Sequence, residues 1–290
     1  MKKTDQLTLD TSSSSPLYET TEDGIARFRE MVLGHYRKAG RKMPWRENTD
    51  PYHILVSEIM LQQTQVERVM IKFPEFIARF PDVTALARAP LPEILSAWQG
   101  MGYNRRAIAL QKCAGRVVEE YGSTLPADVE VLATFPGIGH ATASSICAFA
   151  FNMPVVFIET NIRRVFIHYF FLDRATVSDA EILPLVERAL PRDNSRVWYW
   201  ALMDLGTVLK KTVANPNRRS VHYTKQPAFE GSDRKIRGEV LRLLIPGEGM
   251  TREQITGSFT EDPARIRKIL DGLEKDGFIV ADGKTIRLVS

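Results

Sequence analysis

The 290-residue sequence contains only two cysteines, Cys113 and Cys147. Two thiols cannot by themselves build a structural zinc site or a four-cysteine iron–sulfur cluster. Both fall within apolar helical patterns, so buried inert thiols are expected. Long hydrophobic runs are also missing: nothing approaches the roughly 18 apolar residues of a membrane span. The N-terminus, Met1-Lys-Lys-Thr-Asp-Gln-Leu7, lacks the apolar core of a signal peptide, which favours a cytoplasmic protein with no membrane partner. Acidic residues are absent from one stretch. Between Gly206 and Lys225 stand Lys210, Lys211, Arg218, Arg219 and Lys225, with no Asp or Glu. A solvated basic loop and a phosphate-contacting strip both fit that pattern. The net charge of +4 permits a polyanionic partner without requiring one.

What is present is mostly helical periodicity. Hydrophobic residues make up 44% of the chain and charged residues 26%, as in globular proteins. The first 20 residues, with Ser12-Ser-Ser-Ser15, read as a disordered lead-in. Ile25, Phe28, Met31, Val32 and Tyr36 then share one helical face. Asp50 and Pro51 open another helix as cap and first residue. Further helices are expected at about 66–79, 92–98, 104–121, 128–134, 140–151, 160–171, 178–190 and 195–209, punctuated by Pro81, Pro90, Pro126 and Pro154. This describes an all-α core over 21–230.

The segment 231–290 has a different pattern. It contains a helix from Ser232, a short one from Thr251 and a third opened by Asp262 and Pro263 and stopped at Gly277. Two short strands around Asp282-Gly283 follow. Three helices and a hairpin describe a winged-helix-like α+β module, whose third helix carries Arg265, Arg267 and Lys268. Acidic and basic residues are nearly balanced there, so a pure packing module fits as well as a DNA reader.

Three segments carry candidate chemistry. Leu132-Ala-Thr-Phe-Pro-Gly-Ile-Gly-His140 joins two helical patterns through a tight glycine turn, followed by the small-residue helix of Ala141 and Ala143. Glycines allow close backbone approach, and a helix N-terminus presents N–H groups, a geometry that receives a phosphate. Glu58 sits among Ile54, Leu55, Ile59 and Leu61. A carboxyl desolvated in such surroundings is raised in pKa and suits a general acid. Gln62, Gln63, Thr64 and Gln65 end that helix as a polar turn, suited to base edges or to an ordinary surface loop. Glu159 ends the apolar run from Val155, just before Thr160 and Asn161. There it is either an acidic residue at a helix N-terminus or a carboxylate facing a developing positive charge.

Taken together, Ser57-Glu-Ile-Met-Leu-Gln-Gln-Thr-Gln-Val66, Trp98-Gln-Gly-Met-Gly-Tyr-Asn-Arg-Arg-Ala107, Phe135-Pro-Gly-Ile-Gly-His140 and the Glu159 segment resemble the helix-hairpin-helix DNA glycosylase superfamily, and within it the MutY-type adenine glycosylases. The resemblance runs from about Met43 to about Gly206. It implies a core of two helical subdomains and a base-excision repair enzyme that hydrolyses the N-glycosidic bond of a flipped, mismatched base in double-stranded DNA, acting as a monomer at the nucleoid. Glu58 matches the glutamate that protonates the departing adenine, Glu159 the aspartate that stabilises the sugar cation, and Asn161 its neighbour. Gln62, Gln63 and Tyr103 match residues that contact or wedge into the opened duplex. Gly137 and Gly139, followed by His140, match the phosphate-binding hairpin. The basic strip of Lys210, Lys211, Arg218 and Arg219 is assigned to DNA as well.

Four features refine the resemblance. Bifunctional relatives carry a catalytic lysine where this chain has Ala141, so no Schiff base forms there and a monofunctional enzyme is expected. Glu159 replaces an aspartate, moving the carboxylate by roughly 1 Å. The cluster cysteines of many relatives are absent, so no iron–sulfur cluster and no required cofactor are expected, although the superfamily implies a monovalent cation at the hairpin carbonyls. The tail is unlike the domain that recognises 8-oxoguanine. The MutY-type resemblance makes adenine at a mismatch the leading substrate, while the tail bears on which base stands opposite it. Thymine or uracil opposite guanine, or a non-catalytic role as a DNA-binding lesion sensor, are the alternatives.

Overall fold

A computed structural model describes residues 15–224 and 230–289. In chain order the helices are α1 (Glu22–Ala39), α2 (Pro51–Leu61), α3 (Val66–Arg79), α4 (Val83–Arg88), α5 (Leu91–Ala97), α6 (Arg105–Tyr121), α7 (Val129–Ala133), α8 (His140–Phe151), α9 (Thr160–Phe170), α10 (Asp179–Ala189) and α11 (Ser195–Thr212). The C-terminal segment adds α12 (Asp233–Leu244), β1 (Met250–Thr251), α13 (Arg252–Gly257), α14 (Pro263–Lys275), β2 (Ile279–Asp282) and β3 (Thr285–Leu288). Short 3-10 turns lie at Pro44–Arg46 and Pro216–Arg219. Among the described residues, no helix is long and apolar enough to cross a membrane.

The chain divides into two compact units, one of residues 1–42 and 143–225, the other of residues 43–142 and 226–290. The core of the first is an aromatic cluster. Phe28 on α1 is fully buried, with ring centroids 4.9–6.0 Å from those of Tyr18, Phe166, Tyr169, Phe170 and Trp198. Helices α9 and α11 pack together in this unit, and α1 packs on α11. Leu17 and Tyr18, inside the segment expected as a lead-in, are tied to this core. The backbone N–H groups of Leu17 and Tyr18 both donate to the Tyr169 carbonyl, because an aromatic side chain at position 18 has a core to enter. Residues 1–14 and Lys225 lie outside the described residues.

The second unit is built on Trp98, Phe76 and Phe80, with α4 against α6 and α2 against α3. Helix α4 was not anticipated. It holds six residues between Pro81 and Pro90, with Asp82 accepting from the Ala85 N–H as its cap, too short for a periodic pattern to register. The tail belongs to this unit. Its sheet runs β1-β3-β2, all antiparallel, and the Asp282-Gly283 turn connects β2 to β3 with Gly283 at φ 60°. The two-residue β1 is a further addition, pairing Met250 with Ile286.

Candidate active site and DNA-contacting loops

In the second unit, Asp50 caps α2 by accepting from the N–H groups of Tyr52 and His53, and Pro51 starts the helix. Seven of its eleven residues are buried, so α2 is apolar nearly all round. Glu58 is half-buried on this helix, an ionisable group between buried Ser57 and Ile59.

Beyond Leu61 the chain turns sharply, with Gln63 at φ 54°. A second unusual backbone lies at Tyr103, φ 48°, after Gly100 and Gly102 at φ 81° and 68°. Left-handed conformations at non-glycine residues are costly and concentrate at functional sites. These two occur at positions expected to contact DNA. One buried side chain braces both loops. Arg106 donates to the carbonyls of Ile59, Met60 and Gln62 at 2.7–2.9 Å, to those of Met101 and Gly102 at 3.1 and 3.0 Å, and to Thr64 Oγ1. Burial lowers its pKa to about 10, while Coulomb attraction to Tyr103 opposes that shift. The Tyr103 ring lies 5.5 Å from the Arg106 guanidinium and 5.3 Å from that of Arg234, and its hydroxyl accepts from Arg234.

The glycine turn lies between α7 and α8. Asp128 caps α7 through the Val131 N–H. Phe135 and Ile138 point inward, whereas Gly137, Gly139 and His140 are exposed. Gly137 has φ 74°, and a Cβ there would approach Ala109 Cβ to 2.8 Å. Gln62 Nε2 donates to the Gly137 carbonyl at 3.2 Å and to Thr142 Oγ1 at 3.4 Å, joining the end of α2 to the turn. His140 pairs with Glu130 at 3.3 Å on the surface. The Phe135, Pro136 and Gly137 carbonyls accept from Ile138 N, Cys113 Sγ and Gln62 Nε2 respectively. Each of these carbonyls keeps a second lone pair beyond the donor named.

In the first unit, Glu159 is the N-cap of α9. Its Oε1 accepts from the N–H groups of Asn161 at 2.6 Å and Ile162 at 3.0 Å, and Oε2 from Asn161 Nδ2 at 3.4 Å. The longer side chain thus curls back over its own helix N-terminus, the role that Asp or Ser ordinarily fills. The preceding run is anchored by Tyr199, which donates to the Val155 carbonyl and packs on Phe157. Burial pushes the Glu159 carboxyl above its ordinary range. The two backbone amides, Arg164 and Arg163 pull in the opposite direction without cancelling the effect. Asn161 Oδ1 accepts from buried Arg164 at 2.6 Å.

The basic strip separates into two parts. Lys210, Lys211 and Arg218 are exposed. Arg219 turns inward and donates to the carbonyls of Ile167, Phe171, Leu172 and Arg174. The end of α9 leaves carbonyls without helical partners, and a five-donor guanidinium answers several at once. Arg219 is thus held by the backbone around the end of α9, unlike its three exposed neighbours in the strip. Arg106 and Arg164 were not anticipated, because the sequence shows only arginines on helices that turn a face inward.

Two helices joined by a tight glycine turn, set in a helical body with the turn's glycines exposed, define a helix-hairpin-helix protein. Residues 56–187 match the family described as HhH-GPD superfamily base excision DNA repair protein. The adenine DNA glycosylase of Mycolicibacterium smegmatis is 34% identical over 87% of this chain and 93% of its own length. That of Mycobacterium tuberculosis is 32% identical over 87% and 91%. In fold, a thermostable thymine-DNA glycosylase superposes with a TM-score of 0.62 at 23% identity, covering 69% of this chain and 94% of its own. The chain belongs to the helix-hairpin-helix base excision DNA repair superfamily, in its MutY-like branch.

Proposed function

We propose that this chain is a monofunctional adenine DNA glycosylase acting on a mismatched adenine in duplex DNA. Similarity to relatives named adenine DNA glycosylase across nearly their whole length supports adenine over thymine or uracil. The observation that carries the chemistry is the Glu159 cap, a carboxylate held by two backbone N–H groups beside an amide that is itself fixed. Such an anion is preorganised and can stabilise charge that develops in the transition state.

The proposed reaction begins with extrusion of the nucleotide, with Tyr103, Gln62 and Gln63 contacting the opened duplex. Gly137, Gly139 and the N-terminus of α8 at His140 hold a phosphate, and Lys210, Lys211 and Arg218 add positive charge. Glu58 donates a proton to the adenine ring. The C1′–N9 bond breaks with its electron pair leaving on the base, and Glu159 stabilises the cationic sugar. Water adds to C1′ and gives up a proton to a carboxylate. The products are free adenine and an abasic site. Ala141 offers no amine, so strand cleavage through a Schiff base does not follow. No metal or cofactor enters these steps, and a monomer suffices.

Single-turnover assays on duplexes containing A:G, A:8-oxoguanine, T:G and U:G pairs test the proposal. Abasic product from the adenine duplexes is expected. Product from none of them, or from T:G and U:G alone, would overturn it. Glu58→Gln should abolish base release while leaving duplex affinity within a few-fold; surviving activity would refute Glu58 as the acid.

A further inference from the structure

The turn that follows α11 reaches back to the start of α9. Asn215 Oδ1 accepts from the Asn217 N–H at 3.2 Å and from Arg164 Nε at 3.4 Å. Asn217, 6% exposed, donates through Nδ2 to the Thr160 carbonyl at 2.9 Å. Thr160 is the residue between Glu159 and Asn161. Arg164, 3% exposed, donates through Nη1 to Asn161 Oδ1 and to the Gly206 carbonyl at 2.8 Å. With Oδ1 engaged by a cation, Asn161 turns its Nδ2 towards Glu159. Helix α11 comes this close because residue 206 is glycine, where a Cβ would stand 2.6 Å from Asn161 Cβ. The first turn of α9 is thus held through Arg164, which Asn215 engages, and through the Thr160 carbonyl, which Asn217 engages.

We infer that Asn215 and Asn217 are positioning residues for base release, setting the orientation of Glu159 and Asn161 through Arg164 and the Thr160 carbonyl. The inference rests on the glycosylase reading. Misplacing a reacting group by roughly 1 Å can cost about a hundredfold in rate.

The two asparagines use opposite ends of the same side chain, and that supplies the test. Asn215 acts only as an acceptor, so an aspartate can replace it. Asn217 acts through its donor, which an aspartate lacks. Asn215→Asp is expected to keep the single-turnover rate on the A:8-oxoguanine duplex within about threefold, whereas Asn215→Ala, Asn217→Ala and Asn217→Asp each lose more than about tenfold. Duplex affinity should change less than about twofold in all four. Val186→Ala, which opens a cavity at a fully buried position on the inner face of α10, serves as the control for lost stability and should leave the rate per folded molecule unchanged.

Hydrogen exchange of the Asn161 and Ile162 amides gives a second readout that needs no activity. It should quicken in Asn217→Ala and Asn217→Asp but not in the Val186→Ala control. Wild-type rates in all four asparagine variants, or a loss in the control equal to theirs, would overturn the inference. A wild-type protein inactive on every duplex would instead refute the glycosylase reading, and unchanged amide exchange in Asn217→Ala would then refute the brace separately.

Discussion

Glu159 shows at the scale of one residue how a single methylene alters a site. The carboxylate is both a helix cap and the anion of the proposed reaction, and its burial raises its pKa despite two amides and two arginines. A carboxyl raised in the folded state favours folding when protonated. That contribution is fully present below the unfolded value, about 4.3, and is lost as pH rises through the folded value. Glu159→Gln should therefore gain thermal stability relative to wild type at pH 7 and show less advantage at pH 4, while losing base release at both. Thermal melts at the two pH values check the sign; an advantage larger at pH 4 would refute it. Spacing alone showed a carboxylate ahead of Thr160 and Asn161. It did not show that the side chain folds back on its own helix, because that depends on the space left around it.

At the scale of elements, the features that position the site were largely legible. Asp50 with Pro51 opened α2, and the glycine turn stood between two helical patterns, since caps and breakers act locally. Helix α4 and strand β1 were hidden for opposite reasons: one is too short for a period, and the other gains its hydrogen bonds only from β3. The two hairpin glycines should also separate on mutation. Gly137 combines φ 74° with a close approach to Ala109, so Gly137→Ala should destabilise the fold by about 1–3 kcal/mol. A Cβ at Gly139 meets nothing within 4 Å. Gly139→Ala should therefore melt within a few degrees of wild type yet bind duplex about tenfold more weakly, by obstructing the approach of a phosphate. Denaturation midpoints and duplex titrations test the pair, and equal effects of both substitutions on stability would contradict it.

At the scale of the whole molecule, the tail is tied to the loop that carries Tyr103 rather than standing apart at residue 231. Asp276, just after α14, accepts from Arg105 at 2.6–3.1 Å and pairs with Arg237. The third helix of the module is therefore connected at its C-terminal end to the start of α6. Burial would raise the Asp276 carboxyl, but hydrogen bonds and Coulomb attraction from Arg105 and Arg237 prevail and hold it below the usual range. A depressed carboxyl contributes stability above its unfolded value, about 3.9, and loses it as pH falls through the folded value. The clasp should weaken in acid. Asp276→Asn should loosen it at neutral pH, speeding proteolysis of the C-terminal module while the remainder stays resistant. Unchanged digestion would count against the clasp.

By itself, the sequence determined where most helices start and stop, which residue types could carry acid and cation-stabilising chemistry, and that Ala141 offers no nucleophile. Those properties rest on local backbone preferences and on side-chain chemistry that holds in any fold. Only the tertiary structure decided which cations serve the interior. Arg106 and Arg219 turn towards carbonyls at helix ends and in loops, and Arg164 towards the Asn161 and Asn215 side chains and the Gly206 carbonyl, while Lys210, Lys211 and Arg218 remain at the surface. Most of those acceptors are brought to the guanidinium by segments distant in sequence, as Ile59, Met60 and Gln62 are to Arg106 and Gly206 and Asn215 to Arg164, so the pattern around the arginine does not record them.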